Sequence, residues 1–130
     1  MNAKRIVLLV LLISVFATGL VFGQSNQLRY GIYWSSTNPA LELGVQAEYG
    51  RIGVYNVWVY AGKIPGGTHL WQFQGTTSGN RINMVIIEVN RRALADIGMS
   101  HIDVGMRETW TIGNNVLIDP DGHRYIWNRE

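Results

Sequence analysis

The chain has 130 residues, no cysteine, 11 Lys and Arg against nine Asp and Glu, and a formal net charge of +2. That excess belongs to residues 1–23, which hold Lys4 and Arg5 and no acid, so residues 24–130 balance nine basic against nine acidic side chains. The balance excludes the clustered cations that a nucleic-acid binder needs to displace counterions from phosphates. The lack of Cys excludes a disulfide framework, thiol catalysis and Cys-based zinc sites.

Met1 to Arg5 is a short basic start, Ile6 to Phe16 is apolar except for Ser14, and Ala17 to Gly23 is rich in small residues. This order of basic start, apolar core and small residues predicts a signal peptide over 1–23. Cleavage is expected near Gly23, with Val21 and Gly23 at the −3 and −1 positions and Gly19 as a second candidate. An uncleaved anchor is the rival reading, but 6–22 is at the short end of spanning helices and no basic stop follows it. With no Cys at the cut there is no lipid anchor. The expectation is bacterial export, a periplasmic or secreted product, and one β domain over 24–130 with no stable membrane span after cleavage.

Short runs rich in Val, Ile, Thr, Tyr and Trp, separated by Gly and turn clusters, predict strands along that domain. Leu28 to Trp34 alternates with Leu28, Tyr30, Ile32 and Trp34 on one face, and a turn over 35–39 follows. Leu41 to Tyr49 reads either as a weak strand or as a loop with a helical turn. Arg51 to Ala61 is the clearest strand, apolar on both faces and so expected at the centre of a sheet. Thr68 to Gly75 places His69, Trp71 and Phe73 together, before a turn over 76–80 and a strand over 81–89. Asn90 then caps a short helix over 91–97, Gly98 is its C′ residue, and its apolar side is placed to plug a barrel end. A meander finishes the chain: 103–112, 116–118 and 123–127, with turns at Gly113-Asn-Asn115 and Asp119-Pro-Asp-Gly122. Six to eight such strands joined mostly by hairpins predict an all-β fold with one short helix, a small antiparallel barrel or alternatively a β-sandwich.

The stretches Trp71-Gln-Phe-Gln-Gly-Thr-Thr-Ser-Gly-Asn80 and Glu108-Thr-Trp-Thr-Ile-Gly-Asn-Asn-Val-Leu-Ile-Asp119 resemble hairpins of lipocalin-like small barrels from bacterial envelopes. Gly31-Ile-Tyr-Trp34 is similar to the Gly-x-Trp near the start of lipocalins, with one residue more. The resemblance implies a cup-shaped barrel that binds a small apolar ligand.

Residues 24–130 hold five Trp and six Tyr but one Phe, and such rings suit either a core or a ligand cavity. Trp58 and Tyr60 share one strand face, Tyr125 and Trp127 another, and with Trp71 and Trp110 they are the candidate lining of a ligand site. Glu88 is the candidate polar member. It follows Ile82, Met84 and Ile86 on one face, while Val85, Ile87 and Val89 lie on the other, so periodicity leaves either face as the interior. Were Glu88 interior, Arg29 or Arg107 would have to pair with it. Eight of the nine basic residues here are Arg, which stacks on aromatic rings and so favours an interaction surface.

Catalytic signatures are missing: there is no Gly-x-Ser-x-Gly, His-Glu-x-x-His, P-loop or dinucleotide glycine pattern. His101-Ile-Asp103 places an imidazole and a carboxylate on one side of an extended segment, yet a solvated loop is the plainer reading. Asp119-Pro-Asp-Gly122 resembles a calcium loop only at its opening. The expectation is therefore a non-enzymatic protein without metal or cofactor that binds a small apolar or amphipathic ligand in a barrel cavity. The alternative is a protein–protein module, either an enzyme inhibitor or an envelope structural component.

Overall fold

The computed structural model describes residues 28–35, 41–64 and 66–128; the leader with its cleavage site and positions 36–39 of the first turn lie outside them. Eight strands follow in chain order: β1 (Gly31–Ser35), β2 (Leu41–Ala47), β3 (Val54–Ala61), β4 (Thr68–Ser78), β5 (Arg81–Val89), β6 (Arg107–Gly113), β7 (Val116–Ile118) and β8 (Arg124–Asn128). Among the described residues one helix, α1 (Arg91–Asp96), interrupts them between β5 and β6. Each strand pairs antiparallel with the next, and β8 returns to β1 with Tyr33 opposite Trp127 and Ser35 opposite Tyr125. The sheet is thus a closed barrel in sequence order. Closure leaves no second sheet, so the sandwich alternative does not apply.

An eight-strand barrel encloses a bore just wide enough for side chains to fill. Here Tyr33, Leu43, Val57, Val59, Phe73, Ile82, Met84 and Leu117 fill it, and all have almost no exposure. Each such burial stabilises the fold by roughly 1.5–3 kcal/mol. The segment 41–49, ambiguous in sequence, is strand β2, and its inward Leu43 and Val45 join this core.

Three departures from simple alternation decide which side chains point inward. In β1, Tyr33 is buried and Trp34 is 48% exposed, the reverse of the face predicted from Leu28, Tyr30, Ile32 and Trp34. Gly31 sits at φ +128, a conformation other residues rarely take, and there the strand changes phase relative to Leu28. In β4, a bulge between the His69 and Trp71 pairings sets Leu70 and Trp71 into the core and leaves His69 outside against Tyr60. In β5, Phe73 faces Ile86 but Gln72 faces Glu88, so a second bulge at Ile87 separates Glu88 from the inward Ile82, Met84 and Ile86. The interior is therefore the face predicted to carry Glu88, without Glu88 itself.

The helix follows its sequence signals closely. Asn90 Oδ1 accepts from Ala93 N at 3.1 Å, and Asn90 Nδ2 donates to the His69 carbonyl at 2.9 Å, tying the cap to β4. At the other end Gly98 takes φ +75. Gly98 N donates to Ala95 O and Met99 N to Leu94 O, the paired bonds of a Schellman stop. Ala93 and Leu94 are buried in the barrel core with Met99 and Ile102 packed behind them. Strand β6 starts at Arg107 rather than 103, because residues 103–106 close a turn in which Met106 N donates to the Asp103 carbonyl at 3.3 Å, while Asp103 Oδ1 accepts from Arg91 Nη2 and from Val104 N.

Candidate functional site

The two ends of the barrel are built differently. At one end α1 and the long connection between β5 and β6 lie across the bore. The opposite end carries the hairpin joining β2 to β3, the Asn114-Asn115 turn between β6 and β7, and the segment 28–30 that leads into β1. There the surface sinks into an open funnel of about 1060 Å³. Its floor is made by buried Tyr33, Tyr55 and Ile112, its wall by Leu28, Tyr30 and Trp127, and its rim by Arg29, Glu48, Arg51, Ile52, Asn114 and Asn115.

Three aromatic side chains hold residues 28–30 in place across this mouth. Tyr33 Oη donates to the Arg29 carbonyl at 2.8 Å. Tyr55 hydrogen-bonds the backbone of Leu28. Trp127 Nε1 donates to the Tyr30 carbonyl at 2.8 Å, and the Arg29 guanidinium lies 4.3 Å above the Trp127 ring centre. This last contact stacks a cation on an aromatic ring within the chain. Burial pushes the Tyr33 and Tyr55 hydroxyls above the ordinary tyrosine range, so both remain neutral donors at neutral pH. Arg29 and Arg51 give the rim two cations, while Glu48 Oε1 accepts from Asn56 Nδ2. Among the described residues the one salt bridge is the exposed Arg91–Asp103 pair, far from the funnel in sequence and in fold.

The predicted lining residues divide among three places. Trp127 lies in the funnel wall. Trp71, Trp110 and Tyr125 point inward but form the core itself, in a column with Phe73. Trp71 meets Phe73 edge-on at 6.1 Å, Phe73 meets Trp110 edge-on at 5.9 Å, and Trp110 stacks on Tyr125 at 5.3 Å. Trp110 Nε1 donates to Glu108 Oε1 at 2.7 Å, whereas Trp71 Nε1 is buried with no partner. Trp58, Tyr60 and Glu88 lie on the outer face of the barrel, because Trp58 pairs with outward Gly44 and Gln72, and Glu88 with Gln72. Even numbering puts Trp58 and Tyr60 opposite to inward Val57 and Val59, a phase that a strand apolar on both faces does not reveal.

Sequence reading missed Leu28, Arg29, Tyr30, Arg51, Ile52 and Tyr55 as a group. They come from segments that only barrel closure brings together. The available signal was an exposed apolar residue in a tight hairpin: Ile52 is fully exposed between Arg51 and Gly53. His101 is an exposed turn residue, and Asp103 serves Arg91 and Val104 instead of an imidazole. Among the described residues no group of three or more His, Asp or Glu could hold a metal ion. Asp119 Oδ1 accepts from the Asp121 and His123 N–H groups, both at 2.9 Å, which makes its loop a side-chain-braced turn. Among the described residues, no helix is long and apolar enough to cross a membrane. No protein family, curated protein or solved structure matches this chain.

Proposed function

We propose that this chain is an exported, non-catalytic binding protein that takes a small amphipathic ligand in the funnel at the open end of its barrel. The observation that carries the reading is the funnel's composition: an aromatic floor and wall under a rim of Arg and Asn. Ligand sites are commonly concave and mainly apolar with a few placed polar groups, and they favour the mouths of barrels. The apolar part of the ligand rests on Tyr33, Tyr55 and Trp127, and its polar part meets Arg29, Arg51 and the two asparagines. The filled bore limits the ligand to the mouth, above the Tyr33 and Ile112 layer. Export is supported by the basic start and apolar run of residues 1–23, and the lipocalin-like hairpins fit the same reading.

A brominated amphiphile, which quenches only rings it touches, tests this directly. Wild-type Trp emission should fall on titration, and the fall should shrink in Trp127→Phe. Quenching that is unchanged in that variant would place the ligand elsewhere and overturn the reading.

A second reading, a protein–protein module, is favoured by the apolar groups standing out around the same mouth. Tyr30 is 65% exposed, Tyr49 98%, and Ile52 fully. Solvent-facing aromatics close together commonly mark an interaction site. A protein that dimerises in sedimentation, and stops doing so in Tyr49→Ser/Ile52→Ser, would support this reading.

A further inference from the structure

The outer face of β2–β5 carries a second arrangement of side chains that neither the core nor the funnel uses. Trp58 lies at its centre, half-buried, with Asn56 and Tyr60 two residues away on the same strand. Across the neighbouring strands it faces Gly44 on one side and Gln72 on the other, and Gln72 faces Glu88. The next row places Asn56 between Gln46 and Gln74. Gly44 carries no side chain beside the indole, and Ile64 Cδ1 lies 3.8 Å from where one would begin, at the edge of this face.

The amides are already positioned. Gln72 Nε2 donates to Asn56 Oδ1 at 3.1 Å, and Asn56 Nδ2 donates to Glu48 Oε1. This relay uses one donor of each amide, so each keeps a second N–H and Gln72 keeps its carbonyl oxygen. Held side chains lose little freedom when a ligand arrives. Within β2–β5 these rows hold acidic Glu88 and no Lys or Arg, with the cation Arg107 one strand further on, across from Val85, so this face favours a neutral ligand over an anionic one. An apolar ligand or protein core would strand the amides without partners.

We infer that this face binds a neutral carbohydrate, with one sugar ring stacked on Trp58 and its hydroxyls held by Gln72, Asn56, Gln74 and Glu88. A sugar ring offers an apolar C–H face to the indole and, at its edge, hydroxyls that both donate and accept. Amide side chains do the same. Neighbouring positions across the strands lie about 4.8 Å apart, on the scale of one pyranose ring.

The purified protein would be titrated with cellotetraose, maltotetraose and chitotetraose, followed by Trp emission and saturation-transfer NMR. Electrophoresis through gels containing the matching polymers separates recognition of free oligosaccharide from recognition of a polymer. At least one sugar should bind, and Trp58→Ala should weaken it by about tenfold or more. Gln72→Ala should weaken it several-fold, while Trp127→Ala at the funnel should leave it unchanged. If Trp58→Ala loses its circular dichroism, Gln72→Ala and Gln74→Ala carry the test. Absence of binding across the panel, or binding indifferent to these variants, overturns the inference. Self-association abolished by Trp58→Ala without sugar binding would overturn it in favour of an interface between copies.

Discussion

The plugged end and the open end of the barrel are made from the same strands but spend their side chains on opposite ends. At the plugged end apolar groups turn inward: Ala93 and Leu94 of α1 are buried, and Met99 and Ile102 pack behind them. At the open end comparable groups turn outward, with Ile52 and Tyr49 fully or almost fully in solvent and Tyr33 and Tyr55 forming a floor. Burial is thereby concentrated at one end and exposure at the other. A closed bore leaves no strand edge to protect, so one mouth is free to stay uncovered without loosening the fold.

Truncations at the two ends break or sharpen this contrast most strongly. Leu94→Ala removes a fully enclosed side chain and should cost about 2–5 kcal/mol, whereas Ile52→Ala should leave the denaturation midpoint in urea nearly unchanged. Equal losses at both positions would mean that the open end is part of the core. Asn90→Ala comes next, at about 1–2 kcal/mol, because it removes both the cap of α1 and the bond to the His69 carbonyl.

The smallest expected effect, also at the mouth, is one of pH. Tyr33 and Tyr55 have pKa values raised by burial above the ordinary 10.0, as does Tyr125 in the core column. Their folded states favour the neutral phenol, so this contribution is complete below pH 10 and is lost as pH rises through the raised values. Stability should hold to about pH 10 and then decline. The phenolate absorbance of these rings should appear late, together with unfolding. Early ionisation of all six tyrosines in a still-folded protein would contradict the buried floor.

Much of the fold was legible because local chemistry decided it. Asn90 and Gly98 mark the ends of α1 whatever surrounds them, and the turn expected over 76–80 tightens to Gly79-Asn80, with Thr76 to Ser78 still paired in β4. The candidate site was much less legible, for a physical reason. A strand's facing depends on registers with its neighbours, and the bulges at Leu70 and Ile87 arise only when β3, β4 and β5 pair. Counting by twos therefore set Glu88 on the face of Ile82, Met84 and Ile86 without deciding which face is the interior, and it offered Trp58 as lining although Trp58 stands outside. Trp127 was found because β8 alternates without a bulge. Its companions Leu28, Arg29 and Tyr55 were not, because only the β1–β8 seam and the β2–β3 hairpin bring them to one mouth.

The central claim is that the open mouth, and not the filled bore, holds the ligand. Native mass spectrometry of protein purified from the periplasm of an expressing bacterium tests it most directly, with Trp127→Ala and Trp110→Phe prepared alongside. The account predicts a monomer bearing a discrete extra mass that organic solvent releases, lost in Trp127→Ala and kept in Trp110→Phe. An empty wild-type protein that also takes up no added amphiphile, or a mass retained without Trp127, would contradict it.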